Sequence, residues 1–351
     1  MTVTTPPTKT PKSAGAPSAT GRRLRALFGQ QEIGLLGVII VLAIIVNTLN
    51  NNFLTPTNVA NLLQTITVVG IIAIGQTFVL IAKEIDLSVG SVLALSAVSA
   101  GYLFNMGLNP WLAVLLGILV GGLSGLVTGM IVVFGKISSF IVTLGMLSIA
   151  RGLTQLITGG LPQQMPSELS FIGQGRIAGL IPVSVIIFMV LVIIGQIVLT
   201  RSVFGLRVTA IGDNTMAANL GGLPVAATRI ATFVLIGLLA GLAGIVYSTQ
   251  VGVAEAQAAQ GYELDVIAAA VIGGASLSGG RGSIFGAFLG ACLLGLLRNS
   301  FILLALSPFW QQVSIGAVIV LAALFDQARQ GNLGSFKTVL RNSRRRMLVR
   351  R

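Results

Sequence analysis

The sequence predicts an all-α integral membrane protein with about ten transmembrane helices, some of them broken, and with both termini in the cytoplasm. Hydrophobic residues make up 54% of the 351 residues and charged residues only 9%, whereas a soluble domain carries roughly 25% charged residues. Ten apolar runs follow one another along the chain, most of them near the roughly 20 residues that cross a bilayer as a helix. The basic residues also gather on one side of this topology, so we treat the chain as one membrane domain.

The two ends of the chain lie outside the apolar runs. Residues 1–31 are rich in Thr, Pro, Ser and basic residues and show no apolar periodicity, which predicts a disordered basic cytoplasmic arm. The arm has neither the apolar core nor the cleavage site of a signal peptide. Residues 327–351 form a basic cytoplasmic tail, and the predicted transmembrane domain covers residues 32–326.

The boundaries of the spans follow from apolar runs and their breaks. The predicted spans lie near 33–49, 58–82, 87–106, 110–134, 138–158, 181–200, 229–251, 263–278, 283–304 and 309–325. Asn109 and Ser307 each precede a proline. Both are predicted helix caps, because proline is favoured at the first helical position and Asn or Ser just before it.

The distribution of basic residues fixes the orientation. With the arm inside, 19 of the 22 Lys and Arg residues fall on the cytoplasmic side, and only Arg176 falls in an outside loop, while Arg151 and Arg298 lie within spans. If the chain contained one further span, the topology after it would be inverted and the basic residues would fall on both sides of the membrane. An even number of spans therefore agrees with the tendency of cytoplasmic loops to carry the basic residues.

Composition also excludes several classes of function. The chain contains one cysteine, Cys292, and no histidine, which removes disulfide frameworks, Cys/His metal sites and histidine-based catalysis. The net charge of +13 is concentrated in the two ends, so it predicts anchoring at the cytoplasmic surface and not a nucleic-acid partner. The chain lacks a G-x-x-x-x-G-K-[ST] phosphate loop, so it is not itself an ATPase.

Two breaks between apolar runs carry polar residues. The first, "AKEIDLSVGS", places Lys83, Glu84 and Asp86 between two spans, although an ionised side chain costs about 2.5–3.5 kcal/mol at the bilayer centre. The second, "GGASLSGGRGS", is rich in glycine and echoes the first. Paired interrupted segments point to a transport pathway, since irregular backbone is tolerated only where protein or water satisfies it. The predicted pathway residues are Glu84, Asp86, Ser88, Ser91, Ser276 and Ser278.

The longest cytoplasmic segment, residues 201–228, contains a predicted two-turn helix. Asp213 or Asn214 caps it, Gly221 closes it in a left-handed conformation, and Pro224 prevents its continuation. A helix this short is marginal alone, so it packs either on its own chain or on a partner.

Five stretches carry a family resemblance: "GQTFVLIAKEIDLSVGSVLALSAV", "KISSFIVTLGMLSIARGL", "FGLRVTAIGDNTMAANLGG", "GYELDVIAAAVIGGASLSGGRGSIFGAFLGA" and "LSPFWQQVSIGAVIVLAALFD". Together they resemble the permease subunit of bacterial ABC sugar importers of the ribose, xylose and galactose type, over roughly residues 33–326. The resemblance implies a homodimer in the bacterial plasma membrane, an extracytoplasmic sugar-binding protein, and a separate cytoplasmic ATP-binding subunit. That subunit would bind ATP and magnesium, and this chain would hold no cofactor.

The resemblance also implies that the short cytoplasmic helix couples the permease to the ATPase. The coupling residues it indicates are Gly212, Asp213, Asn214, Met216, Ala217, Ala218, Leu220 and Gly221. The chain departs from the family at Lys83-Glu84, where similar permeases usually carry small residues. This pair is either a polar turn that neutralises itself or a polar lining of the pathway.

Two other classes of function stay open on the residues alone. An ion- or proton-coupled secondary transporter would use intramembrane carboxylates, for which the candidates are Glu84, Asp86, Glu263 and Asp265. A membrane scaffold without a transport role would not need two broken segments. ATP dependence of uptake separates the importer from the secondary transporter.

Overall fold

The structure, a computed structural model, describes residues 30–179 and 181–329, and within these it contains thirteen α-helices. The helices are α1 (Gln30–Leu49), α2 (Pro56–Ile81), α3 (Val89–Asn105), α4 (Pro110–Gly135), α5 (Ser139–Thr158), α6 (Ser170–Gly173), α7 (Val183–Arg201), α8 (Val203–Asp213), α9 (Thr215–Leu220), α10 (Val225–Val251), α11 (Tyr262–Ile272), α12 (Ile284–Leu303) and α13 (Pro308–Arg329). Nearly all of the predicted arm and tail falls outside the described residues, although α1 begins at Gln30, inside the predicted arm.

Each of the ten predicted spans corresponds to one helix. Among the described residues, seven helices are long and apolar enough to cross a membrane, namely α1, α2, α4, α5, α7, α10 and α12. The other three predicted spans coincide with α3 of 17 residues, α11 of 11 residues and α13 of 22 residues. The eighth span was predicted too long: α11 ends at Ile272, because the chain turns at Gly273 and Gly274.

Helix α2 lies at the centre of the bundle. Its residues from Ile66 to Ile81 are all buried, and it packs against α10, α12, α11 and α7. Outer helices such as α1 and α7 expose large apolar side chains, as lipid-facing helices do. The apolar side chains exposed on these outer helices are therefore expected to contact the lipid of a bilayer.

Helices α4 and α10 approach each other closely through glycines. A Cβ atom on Gly125 would overlap the carbonyl oxygen of Phe233, and one on Gly241 would lie 3.0 Å from Cα of Ile118. Small residues allow this close approach, as in other membrane helix pairs. These glycines therefore bring the backbones of the two helices together.

Short strands order the extracytoplasmic loops. Strand β1 (Gln163–Gln164) pairs antiparallel with β4 (Val253–Ala254), and β2 (Arg176–Ile177) pairs antiparallel with β3 (Ile181–Pro182). The β1–β4 pair joins the loop after α5 to the segment that leads into α11.

The cytoplasmic segment contains two helices and not one. Helix α8, capped by the Ser202 side chain on the amide of Gly205, precedes the predicted helix, which is α9. Asn214 caps α9 by accepting a hydrogen bond from the amide of Ala217 at 3.0 Å. The left-handed residue after α9 is Gly222, with φ of 76°, and not Gly221 as predicted, because the helix ends one residue later.

Candidate functional site

The first break is a compact turn followed by extended chain. Helix α2 ends at Ile81, and Lys83 turns the chain with a left-handed φ of 65°. Asp86 then accepts hydrogen bonds from the amide and the hydroxyl of Ser88, at 2.7 and 2.6 Å. The hydroxyl of Ser91 donates to the carbonyl of Ser88 at 2.7 Å. Asp86, Ser88 and Ser91, three of the four predicted pathway residues of this break, thus form one hydrogen-bonded group at the start of α3.

The cytoplasmic end of α5 holds this break in place. The amide of Ile85 donates to the Ser139 hydroxyl at 3.1 Å, and the Thr143 hydroxyl lies 3.4 Å from the carbonyl of Ile85. These contacts satisfy backbone groups that have no partner within a helix or strand. Sequence reasoning missed Ser139 and Thr143, because side chains on another helix leave no local signal.

The second break is built from left-handed glycines. Gly274, Gly279 and Gly280 have φ of 101°, 85° and 75°, a region in which side-chain-bearing residues are strained. Within the turn, the amide of Ser278 donates to the Ser276 hydroxyl at 3.2 Å. Ser276 is buried and Ser278 is exposed. The predicted glycine-rich break between the eighth and ninth spans is thus a tight turn.

The two breaks touch each other through their backbones. The amide of Gly280 donates to the carbonyl of Ile81 at 2.9 Å. A Cβ atom on Gly279 would lie 2.8 Å from Cβ of Lys83. The end of α2 and the turn after α11 therefore form one unit at the cytoplasmic end of the bundle.

The start of α3 meets the start of α11 deeper in the bundle. A Cβ atom on Gly90 would lie 2.6 Å from the carbonyl oxygen of Ala259 and 2.8 Å from Oε2 of Glu263. Eleven residues of α11 span about 16 Å, roughly half of a hydrocarbon core. The first break thus runs from the cytoplasmic end back into the bundle, and Asp86 and Ser88 lie along that return.

The predicted coupling segment contacts both breaks. A Cβ atom on Gly212 would overlap the carbonyl of Ile81, and one on Gly280 would lie 2.9 Å from Cα of Asp213. In α9, Ala218 is buried against its own chain, whereas Met216 is 76% and Leu220 is 82% exposed. The exposed face of α9, which also includes Ala217, is thus free for a partner, whereas α9 packs on α8, whose last residues contact the breaks, and on α10.

Glu84 pairs with Arg229 and not with its neighbour Lys83. The carboxylate Oε1 lies 3.2 Å from Nε of Arg229, and the same guanidinium donates to the Thr215 hydroxyl at 3.4 Å. Arg229 belongs to α10 and Thr215 is the first residue of α9. The hypothesis of a self-neutralising Lys83-Glu84 pair is wrong, because the two side chains do not make that contact.

Two cavities lie at the two ends of α5. The cytoplasmic one, of about 470 Å³, is lined by Lys83, Glu84, Lys136, Ser138, Ser139 and Arg229 together with apolar side chains. The extracytoplasmic one, of about 400 Å³, is lined by Gln155, Gly159, Gly160, Pro162, Glu255, Ala256 and Gln257. Both linings are rich in polar groups.

The exposed surface of α5 between these cavities includes a row of small and polar residues. Gly145 and Gly152 are exposed and have no atom within 4 Å of a Cβ placed on them, and Ser148 and Gln155 are exposed between and beyond them. Large apolar side chains such as Ile141, Ile149 and Leu156 are also exposed on this helix. The row of small residues allows the close approach of another helix.

The two arginines that lie within spans have fixed partners. Asp265 of α11 pairs with Arg298 of α12 at 2.8 Å, and the Arg298 guanidinium lies 5.3 Å from the ring centroid of Tyr262. Arg151 of α5 donates to the carbonyls of Ala256 and Ala258. These arginines, which the sequence places inside spans, stabilise the segment that leads into α11.

Comparison with known proteins gives the family. The family described as "Branched-chain amino acid transport system / permease component" matches residues 58–323. This chain belongs to that permease family. It is accordingly a multi-pass integral protein of the bacterial plasma membrane.

Several curated permeases are similar over most of their length. The ribose import permease RbsC of Bacillus subtilis is 39% identical over 85% of this chain and 94% of its own. The L-arabinose ABC transporter permease AraH of Azospirillum brasilense is 35% identical over 94% of this chain and 98% of its own. The autoinducer 2 import permease LsrC of an Enterobacter strain is 32% identical over 92% and 94%. No solved structure matches the chain.

Proposed function

We propose that this permease is the translocating subunit of an ATP-binding cassette importer that carries a monosaccharide or a related polyol into the cell. The observation that carries the proposal is the similarity to RbsC and AraH along nearly the whole chain. The family description names branched-chain amino acids, but relatives at 35–39% identity over most of the chain are the closer guide to cargo. The names of these relatives assign ribose and L-arabinose to them.

Three partners complete the proposed importer. A separate cytoplasmic subunit binds ATP with magnesium and hydrolyses it, an extracytoplasmic protein delivers the sugar, and a second copy of the permease completes the route. The exposed Met216, Ala217 and Leu220 face of α9 supports a docking role, because apolar side chains at a water-facing surface are otherwise unfavourable. This chain itself holds no cofactor in the proposal.

The face of α5 supports the pairing of two copies. Gly145, Ser148 and Gly152 offer close approach without large side chains, and small residues are the usual contact between membrane helices. The polar cavities at both ends of this face suit the entrance and exit of a hydroxylated solute. Glu84 lines the inner cavity, and Asp86 and Ser88 follow it along the first break.

An ion-coupled transporter is disfavoured by the contacts of three of the four candidate carboxylates. Glu84 and Asp265 are engaged in ion pairs, and Asp86 is engaged by Ser88. A coupling carboxylate must exchange its ion or proton during transport. The relative named an ABC transporter permease also favours ATP as the energy source.

The energy source is tested by uptake of labelled ribose and L-arabinose in cells that express the complete system. Uptake is expected to stop when ATP is depleted and to continue when a protonophore and a sodium ionophore collapse the ion gradients at maintained ATP. The purified permease is also expected to carry an ATP-hydrolysing subunit with it. Uptake that stops with these ionophores at maintained ATP would instead favour the ion-coupled transporter.

The pairing of copies is tested by Gly152→Trp on α5. The matched control is Gly37→Trp on α1, which is equally exposed and equally free of atoms within 4 Å. The Gly152 variant is expected to lose the dimer in cross-linking and gel filtration, and the Gly37 variant to keep it. Equal behaviour of the two variants would show that α5 faces lipid.

A further inference from the structure

We propose that Glu84 and Arg229 form an electrostatic latch that ties the coupling helix α9 to the first break. Glu84 and Arg229 are then positioning residues in this role, because the proposed effect of the pair on transport passes through the first break. The inference rests on the proposed function, in which α9 docks on an ATPase. It adds the contact through which movement of α9 reaches the solute route.

Arg229 connects directly to the coupling helix. It lies in the second turn of α10, the helix that follows α9 in the chain. Its Nη2 donates to the hydroxyl of Thr215 at 3.4 Å, and that hydroxyl donates to the carbonyl of Ile211 at 2.8 Å. A shift of the start of α9 therefore moves an acceptor of the guanidinium.

Glu84 connects directly to the first break. Its backbone amide donates to the carbonyl of Val79 in the last turn of α2, at 3.0 Å. Asp86, which organises the start of α3, follows two residues later. Because Glu84 is only 8% exposed, the attraction of its carboxylate to Arg229 is screened less than at a surface. Any displacement of the carboxylate is thus transmitted to a short, hydrogen-bonded stretch.

The geometry of the pair suits a contact that opens and closes. Nε of Arg229 is buried and lies 3.2 Å from the carboxylate, yet it makes no aligned hydrogen bond among the described residues. Attraction holds the pair, and directional bonding does not lock it. Release of Glu84 therefore breaks no aligned hydrogen bond at Nε of Arg229.

The cavity also offers Glu84 a second set of partners. Lys83 and Lys136 line the same cytoplasmic cavity as Glu84 and Arg229. When Arg229 moves, a lysine can neutralise the carboxylate, so neither arrangement leaves a buried charge unpaired. The proposed latch therefore has two arrangements of the Glu84 carboxylate, and coupling between sites requires an element of that kind.

The latch is tested in the assembled importer, reconstituted in vesicles with its ATPase and binding protein. Glu84→Gln and Arg229→Gln remove one partner each, and the double variant removes both. We expect each single variant to keep the ATPase bound but to lose about tenfold in the stimulation of hydrolysis by sugar-loaded binding protein. The double variant is expected to lose less than the sum of the two, because the charges act as a pair.

The control is Asp265→Asn, which removes a charge from the ion pair at the other end of the bundle. It is expected to lower thermal stability without changing the stimulation. Unchanged stimulation in Glu84→Gln at normal ATPase content overturns the latch. So does loss of the ATPase from Glu84→Gln and Arg229→Gln, since the pair would then only shape the docking surface.

If the charge variants do not accumulate in the membrane, the Thr215→Val variant tests the latch instead. This change removes the hydroxyl that contacts Arg229 and keeps the side-chain volume. A reduced stimulation in Thr215→Val supports the latch, and a normal stimulation overturns it. A wild-type permease that carries no ATPase would contradict the proposed function itself, which is a separate outcome.

Discussion

The amide of Gly280 donates a hydrogen bond of 2.9 Å to the carbonyl of Ile81. This contact joins the end of α2 to the turn after α11, two parts of the chain that are far apart in sequence. The carbonyl of Ile81 also faces Gly212 of α8 so closely that a Cβ atom there would overlap it. The cytoplasmic ends of three elements are thus held together by backbone contacts.

The first prediction is that Gly280→Ala lowers stability more than Gly222→Ala. The two glycines have nearly equal left-handed φ, 75° and 76°, so both changes introduce a strain of about 1–2 kcal/mol. A Cβ atom on Gly280 would also meet Cα of Asp213 at 2.9 Å, whereas one on Gly222 would have no atom within 4 Å. The apparent melting temperature of the purified permease measures the difference.

Gly222→Ala is the control for backbone strain, since only the close approach separates the two sites. We expect the additional cost at Gly280 to be about 1–3 kcal/mol, as for other overpacked sites. Equal melting temperatures of the two variants would show that the contact between Gly280 and Asp213 accommodates the added methyl group without a measurable loss of stability.

The second prediction concerns the exposed face of α9. Met216→Asp and Leu220→Asp place charges on side chains that are 76% and 82% exposed. We expect folding and membrane insertion to be unchanged, because these side chains contribute little to the permease core. The ATPase content of the purified importer and sugar uptake should both fall, because a buried unpaired charge in an interface is costly.

Leu206→Asp in α8 is the matched control, because Leu206 is 70% exposed on the same side of the membrane but outside α9. Retention of the ATPase in the Leu206 variant and its loss in the α9 variants would locate docking on α9. If all three variants keep the ATPase, the subunit docks elsewhere.

The sequence predicted the positions of all ten spans because apolar length is a local property. It also predicted the second break, since Gly274, Gly279 and Gly280 mark left-handed backbone. Lys83 also has a left-handed φ, but lysine is not a residue type that predicts this conformation. The shortness of α11 was missed, because its apolar run continues into the turn while the helix does not.

Contacts between residues that are far apart along the chain could not be predicted from the sequence. Glu84 has six basic residues on the predicted cytoplasmic side between the arm and the tail as possible partners, and only the fold selects Arg229. Helix α8 was missed although Ser202 is a cap residue, because eleven residues of mixed polarity resemble a loop. The open face of α5 also required the structure, since Gly145 and Gly152 alone do not reveal whether they are covered.

The third prediction concerns the ion pair between Asp265 and Arg298. Arg298→Ala leaves the carboxylate of Asp265, whose side chain is 8% exposed, without its partner. Removal of one member of such a pair costs about 3–5 kcal/mol. We expect a large fall in melting temperature, and partial recovery in the double variant with Asp265→Asn. The exposed Arg176→Ala in the outer loop is the control for loss of a positive charge.

The last prediction concerns accessibility along the two breaks. Ser88→Cys and Ser278→Cys, each in a Cys292→Ser background, are treated with a water-soluble thiol reagent in the presence and absence of nucleotide. Ser278 is exposed, so the thiol introduced there should react in every state. Ser88 is 2% exposed and bonded to Asp86, so the thiol introduced at that position should react only when the first break opens during the ATP cycle.

Ser248→Cys is the control, because Ser248 is fully buried in α10 away from the breaks. If the Ser88 variant stays unlabelled in all nucleotide states, or reacts no faster than the Ser248 variant, the first break does not line the solute route, and the polar face of α5 would have to carry it alone.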